Sequence, residues 1–366
     1  MRTSDCKISS CSVGSLHHRR VSSVRCERAR GVDRSSCGRL WNRTKVSRHS
    51  CRALSDESAA ASPPAQDVST QDADARQELK WGTATVTENR GASADGTVRL
   101  LVLSVEDHVD YMDGRKLKRI QKAPRWIDSY KLPGQFVGVR FSPEDGNTVS
   151  PQRLLAVCCS PYEARRNSAL LDASIIEILV ERDGHPENEK LAGMAPGDTL
   201  QVSQVLGRGF ASLFSSYVGL LSAMEDSRPL LMACVGTRGL APLRAALNWA
   251  PVQAMAATQP ITIIYVSDKQ VSAACIQEWD VWRESGVSVI PVYVEQEDGK
   301  ELQLGKEVLE NVIFDRAGGL PGLVGGKVQD CAVLLAGLRG STASDLAKRL
   351  RDEGVSRERL LFCEFF

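Results

Sequence analysis

The sequence predicts a two-part α/β plan, an antiparallel six-stranded β-barrel followed by a doubly wound parallel sheet. Three observations carry this. Between residues 82 and 205, short apolar or alternating runs are punctuated by turn residues, with little helical periodicity. After Pro229, strand-like and helix-like stretches alternate. At the start of that second half, Pro229 to Ala250 reads as a buried strand, a glycine-containing turn (Val235 to Gly239) and a helix. That arrangement aims free backbone N–H groups and the positive end of a helix at an anion. Pro242 is expected in the first helical turn, where its missing N–H is harmless.

Taken in order, residues 1–55 are rich in Arg and Ser and lack the apolar run of a secretory signal. Residues 1–60 hold 13 Lys and Arg against five Asp and Glu. The remaining chain holds 33 against 40 and is mildly acidic. The basic segment reads as an organelle transit peptide, chloroplast ahead of mitochondrion, with a basic tail for an acidic partner as the alternative. Residues 56–80 read as a disordered linker. The barrel is expected over 81–225 and the nucleotide-binding sheet over 226–366.

Within the barrel, Thr83–Glu88 and Val98–Val105 suggest a hairpin. Asp113 to Arg125 reads as a charged loop. Further strands are expected near Phe136–Phe141, Arg153–Cys159, Ile175–Arg182 and Thr199–Val205. The third of these alternates: Ile176, Ile178 and Val180 fall on one face, Glu177, Leu179 and Glu181 on the other. In the second half, strands are expected at 230–234, 261–266, 287–294, 331–335 and 360–362. Helices are expected at 241–250, 272–285, 306–314 and 341–353.

Several function classes are excluded. The acidic body does not suit nucleic acid, and no apolar run approaches the roughly 20 residues that span a bilayer. No Cys-x-x-Cys pair is present, so no metal site is expected, and most cysteines after residue 150 sit in apolar runs. Cys158 and Cys159, as strand neighbours, point apart and do not form a disulfide. His108 and His185 lie in polar segments, so no Ser-His-Asp set can be assembled. The basic run Arg115 to Arg125 reads first as a solvated face, and second as a dock for an acidic electron carrier. Trp279 and Trp282, spaced i, i+3, are expected to pack a helix onto the sheet.

Five motifs, in order, resemble the ferredoxin–NADP reductase family, closest to its plant plastid FAD/NAD(P)-binding oxidoreductase branch. Pro133-Gly134-Gln135-Phe136 resembles the family's P-G-Q-[YF] strand. Arg153 to Pro161 lies where the family has R-x-Y-S-I-A-S. Met194 to Leu200 resembles L-K-P-G-D-x-[VL], and Thr237 to Arg244 lies over G-[ST]-G-[IL]-[AS]-P-[IF]-R. Ala336 to Gly340 lies over C-G-x-x-x.

The resemblance implies an FAD-binding barrel and a nicotinamide-nucleotide (NAD(P)H) sheet, with hydride transfer to the flavin and onward transfer to a one-electron carrier protein. It implies flavin contacts at Arg153, Leu155, Ala156, Val157 and Cys158, with Asn188 as a second phosphate contact. Leu155 and Ala156 replace the family's stacking Tyr and its hydrogen-bonding Ser. The nucleotide turn would be Thr237, Arg238 and Gly239, with Thr237 replacing a glycine. Ala336 and Gly337 would sit at the nicotinamide edge, Ala336 replacing a cysteine. Asp268 falls where NADP enzymes carry an Arg, and an acid there suits a ribose diol. Phe366 matches a terminal aromatic that covers the flavin. The alternative is a catalytically degenerate relative serving as a binding or assembly subunit in the plastid, because these replacements cluster at cofactor-facing positions.

Overall fold

The computed structural model describes residues 79–113, 116–122, 124–142, 151–171, 173–215, 218–294, 303–338 and 340–363. The expected transit peptide, nearly all of the linker, Arg339 and Phe366 lie outside these residues.

The first half contains β1 (Trp81–Gly91), β2 (Val98–Val105), β3 (His108–Asp113), β4 (Lys116–Gln121), β5 (Phe136–Arg140) and β6 (Arg153–Ala156). Helix α1 (Pro161–Leu171), β7 (Ser174–Glu181), α2 (Pro186–Ala192) and β8 (Thr199–Ser203) follow. Six of these strands form one antiparallel sheet in the order β6-β5-β8-β1-β2-β7. A single bridge, Val157 to Ile178, joins its two edges into a barrel. Alternation fills the inside: Ile176, Ile178 and Val180 of β7 meet Leu101 and Leu103 of β2 and Val137 and Val139 of β5. Asp107, 1% exposed, ties a 3-10 turn at Trp126–Ser129 to the barrel. It accepts from the Trp126 N–H at 2.8 Å and from the Ser174 hydroxyl.

The second half is the expected doubly wound sheet. It contains β9 (Phe210–Ser212), α3 (Leu220–Glu225), β10 (Leu230–Val235), α4 (Gly236–Leu247), α5 (Ala250–Ala256) and β11 (Ile261–Ser267). It continues with α6 (Trp279–Glu284), β12 (Val287–Tyr293), α7 (Gln303–Glu310), α8 (Gly319–Leu323), β13 (Ala332–Ala336), α9 (Gly340–Asp352) and β14 (Leu360–Cys363). The strand order is β12-β11-β10-β13-β14-β9, parallel except for β9. Residues 230–234, 261–267 and 332–336 are buried throughout, as a sheet covered on both faces requires. The order reverses between β10 and β13, so the crevice at their carboxyl ends is where such a sheet takes ligands. β9 precedes the rest of this sheet in sequence but covers the β14 edge.

Four local expectations are corrected. Within the expected loop of Asp113 to Arg125, Lys116–Gln121 is a strand paired with His108–Asp113 in the β3–β4 hairpin. It is a separate two-stranded sheet in which the apolar side chains of Met112 and Ile120 are exposed. The stretch 272–285 is helical only from 276. Before that, Cys275 takes a positive φ of 58° and donates its N–H to Ala92 O at 2.7 Å, which draws the segment onto the barrel. There is no loop after β10, because α4 begins at Gly236 with Val235 as its N-cap. Pro242 is therefore the seventh residue of α4, inside the helix, where it has no N–H to continue the helical hydrogen-bond ladder. Trp279 and Trp282 are buried against the sheet as expected, with Trp279 edge-on to Tyr265 at 6.2 Å.

Candidate functional site

The site lies where α4 crosses the outer face of β6 and β7. The period of two that buries Ile176, Ile178 and Val180 in the barrel turns Glu177, Leu179 and Glu181 toward the sheet domain. Leu179 joins the shared core between the two halves, together with Leu240 and Ala241 of α4. Glu177 and Glu181 meet α4 with polar partners.

At the Glu177 end, the seam is closed by Arg244, 4% exposed. Its Nη1 donates to Glu177 Oε2 at 2.7 Å and to the Cys158 carbonyl at 2.9 Å. Its Nη2 and Nε donate to Glu278 at 2.7 and 2.8 Å. One guanidinium thus joins the barrel, α4 and the segment before α6.

At the Glu181 end, the seam opens into a cavity of about 400 Å³. Arg153 and Leu155 of β6, Glu181 of β7, Asn188 of α2, and Thr237 and Arg238 of α4 line it. Arg153 has two buried donors, Nε and Nη2, with no hydrogen-bond partner. Its nearest acid, Glu187 Oε2, lies 3.9 Å from Nη2 and is itself 2.5 Å from His185 Nδ1. Buried donors are normally satisfied, so a guanidinium with two unfilled donors on a cavity wall fits an anion.

Burial pushes the Glu181 carboxyl above its usual range. Nearby Thr237 and Arg238 act in the opposite sense, while Asp268 and Asp183 push it further up. Burial also pushes the thiols of Cys275 and Cys331 up to about 12, so neither is a ready thiolate. All six described cysteines are free. Among the described residues, no group of three or more His, Cys, Asp or Glu side chains could hold a metal ion, and no helix is long and apolar enough to cross a membrane.

Five sequence-selected positions therefore converge on the cavity: Arg153, Leu155, Asn188, Thr237 and Arg238. Asp268 stands exposed just beyond β11, close enough to act on Glu181. The others lie in packing. Ala156 and Cys158 are buried between the halves and Val157 is in the barrel core. Ala336 is fully buried, and Gly239 and Gly337 press against each other where α4 meets β13. Of the three glycines where β10, α4 and β13 meet, Gly236, at φ 66°, has free space: a Cβ there would meet nothing within 4 Å. Sequence reasoning passed over Gly236, Glu181 and Arg244 as site residues. The alternation of β7 already placed Glu181 on the outer face, and Arg244 closes the motif that begins at Thr237.

By sequence, no family model and no curated protein matches the chain. Solved structures do match its fold. The flavohaem-like FAD/NAD-binding domain of nitric oxide dioxygenase from Vibrio cholerae O1 biovar El Tor superposes with a TM-score of 0.50 and 18% identity, over 77% of this chain and 97% of that one. A ferredoxin NADP+ reductase from Neisseria gonorrhoeae, solved with bound FAD and NADP, gives 0.50 and 16% over 78% and 98%. An Amycolatopsis cytochrome P450 reductase gives 0.52 and 15% over 78% and 70%. At these identities the likeness is one of architecture: the barrel joined to a doubly wound sheet is the fold of ferredoxin reductase-like proteins.

Proposed function

We propose that the chain is an FAD-dependent oxidoreductase that accepts a hydride from a nicotinamide nucleotide and passes electrons to a one-electron carrier protein. The observation that carries this is the pair of unpartnered, buried donors of Arg153 on a cavity between a barrel and the first turn of α4. Arg153 would hold the FAD pyrophosphate, with Asn188 beside it. Leu155 offers an apolar wall for a ring system but no aromatic face. The start of α4, with Gly236 open to approach, would take the nucleotide phosphates. FAD, when bound, supplies the redox chemistry that side chains lack. The protein's part is to hold two cofactors in one crevice and exclude water between them. The Neisseria reductase carries both FAD and NADP on this architecture.

The test is direct. The full chain, titrated with FAD, is expected to bind it and to turn yellow. Arg153→Ala is expected to weaken FAD binding about tenfold to a hundredfold, the weight of one or two charge-assisted hydrogen bonds. A full chain that purifies colourless and takes up no FAD overturns the reading.

Asp268 extends it to the second cofactor. An exposed acid at the carboxyl end of β11 repels a 2′-phosphate and accepts hydrogen bonds from a ribose diol. NADH is therefore the expected donor. Asp268→Arg should raise the NADPH-to-NADH ratio of kcat/KM by about tenfold or more. An unchanged ratio would refute the assignment.

The basic, Ser-rich segment 1–55 supports plastid import, with mitochondrial import as the alternative. Uptake and shortening of the full chain by isolated chloroplasts would test it. A second reading keeps the fold but not the chemistry: a degenerate relative acting as a binding or assembly subunit. The full burial of Ala336, at the position matched to the nicotinamide edge, favours it. Bleaching of the bound flavin by NADH rules it out, and a yellow protein inert to both nucleotides supports it.

A further inference from the structure

Among the described residues, four buried polar side-chain atoms have no hydrogen-bond partner, and three of them stand together: Nε and Nη2 of Arg153 and Oε2 of Glu187. The fourth is the indole nitrogen of Trp279. Buried polar atoms are normally satisfied, so three unfilled atoms in one cluster mark a place that the chain leaves incomplete.

The closure that the cluster invites is not made. A carboxylate and a guanidinium commonly join through two parallel hydrogen bonds. Here Glu187 Oε2 stays 3.9 Å from Arg153 Nη2 and sits instead 2.5 Å from His185 Nδ1. That second contact is an ion-pair distance without an aligned hydrogen bond, since the same oxygen remains unfilled. The other two acids of the segment are committed elsewhere. Asp183 accepts from the His185 backbone N–H at 3.0 Å and from the Asn188 side-chain amide at 2.9 Å. Glu189 accepts from the Gly184 N–H at 3.2 Å. These bonds tie the loop to the first turn of α2, and Pro186 fixes the backbone between His185 and Glu187. Exchange of the Glu187 carboxylate between His185 and Arg153 is therefore a side-chain rotation.

We propose that His185 is a positioning residue: by holding Glu187 it keeps that carboxylate from capping Arg153, and so leaves both guanidinium donors to the pyrophosphate of a dinucleotide. This deepens the proposed function and rests on it for the identity of the ligand as FAD. Without the imidazole, a carboxylate this close to an unfilled guanidinium closes on it. A ligand phosphate must then displace the carboxylate and bind beside its charge. Removing the charge of Glu187 abolishes the competitor whether or not His185 is present.

The experiment is calorimetric titration of the full chain with FAD and, separately, with inorganic pyrophosphate. It compares the wild type, His185→Ala, Glu187→Gln and the double variant. His185→Ala should weaken both ligands about fivefold to tenfold. Glu187→Gln should bind at least as tightly as the wild type. The double variant should bind like Glu187→Gln, so that the loss caused by removing His185 disappears with the carboxylate. A histidine that touched the ligand itself, or only braced the loop, would cost the same factor in both backgrounds. Thermal unfolding of each variant reports on the fold independently. Equal losses in the two backgrounds, no loss from His185→Ala, or weaker binding by Glu187→Gln overturns the inference, even where FAD binds. If the chain takes up no FAD but binds pyrophosphate with the expected pattern, the flavoenzyme reading fails and the role of His185 stands. A chain that binds neither ligand overturns both.

Discussion

Replacing Arg244 with alanine is expected to remove about 3–5 kcal/mol of folding stability, the usual consequence of leaving buried charges without their partner. The side chain is 4% exposed and its donors reach Glu278, Glu177 and the Cys158 carbonyl, most of them at 2.7–2.9 Å. Without it, Glu177 keeps only a looser contact to the half-exposed Arg90 at 3.6 Å, and Glu278 keeps a 3.3 Å bond from Asn248. Lysine should not rescue the site, because one ammonium cannot fork between two carboxylates and a carbonyl. Replacing the three charges together, as Arg244→Met with Glu177→Gln and Glu278→Gln, should recover much of the loss. The exposed Arg283–Asp280 pair provides the control, since Arg283→Ala should change stability by less than about 0.5 kcal/mol. Urea unfolding followed by tryptophan fluorescence measures all of these. A loss below about 1 kcal/mol for Arg244→Ala would mean that the seam is held by its apolar contacts alone.

The same residue marks the limit of what the sequence discloses. Alternation along β7 separates Ile176, Ile178 and Val180 from Glu177, Leu179 and Glu181, and the structure keeps that division. Local period therefore reveals which face of a strand is inside. It does not reveal what the other face meets. The partners of Arg244 lie 67 residues before it and 34 after it, and only the docking of α4 onto the barrel brings them together. Glu181 and Thr237 are hidden for the same reason. The β3–β4 hairpin escapes notice by a different route: it stands as a sheet of its own, with Met112 and Ile120 exposed and charged residues dominating its second strand, so no clear hydrophobic period marks it. The motif around Thr237 locates the cavity wall. It does not distinguish glycines that receive a ligand from glycines that let two backbones touch.

That distinction predicts a large contrast between two alanine substitutions. Gly337 has φ 71°, and a Cβ there would overlap the Val235 carbonyl oxygen and lie 2.7 Å from Gly239 Cα. Gly239 is as tightly placed, since its own Cβ would come 2.7 Å from the Ala336 carbonyl oxygen. Neither neighbour is a flexible side chain that can turn away, so Gly337→Ala must push α4 off the end of β13. The backbone strain alone is about 1–2 kcal/mol, and overpacking against backbone adds about 1–3 kcal/mol. A total of about 2–5 kcal/mol is expected. Gly236 has nearly the same backbone angle, φ 66°, but open space around it. Gly236→Ala should therefore show the backbone strain only, about 1–2 kcal/mol. Its methyl group would instead project where a ligand's phosphate approaches the start of α4. Chemical denaturation of the two variants gives the stability difference, and NAD+ titration of Gly236→Ala gives the ligand effect. Equal destabilisation by both would show that backbone angle, not contact, governs this crossing, and unchanged NAD+ affinity of Gly236→Ala would show that the gap above Gly236 has no part in binding.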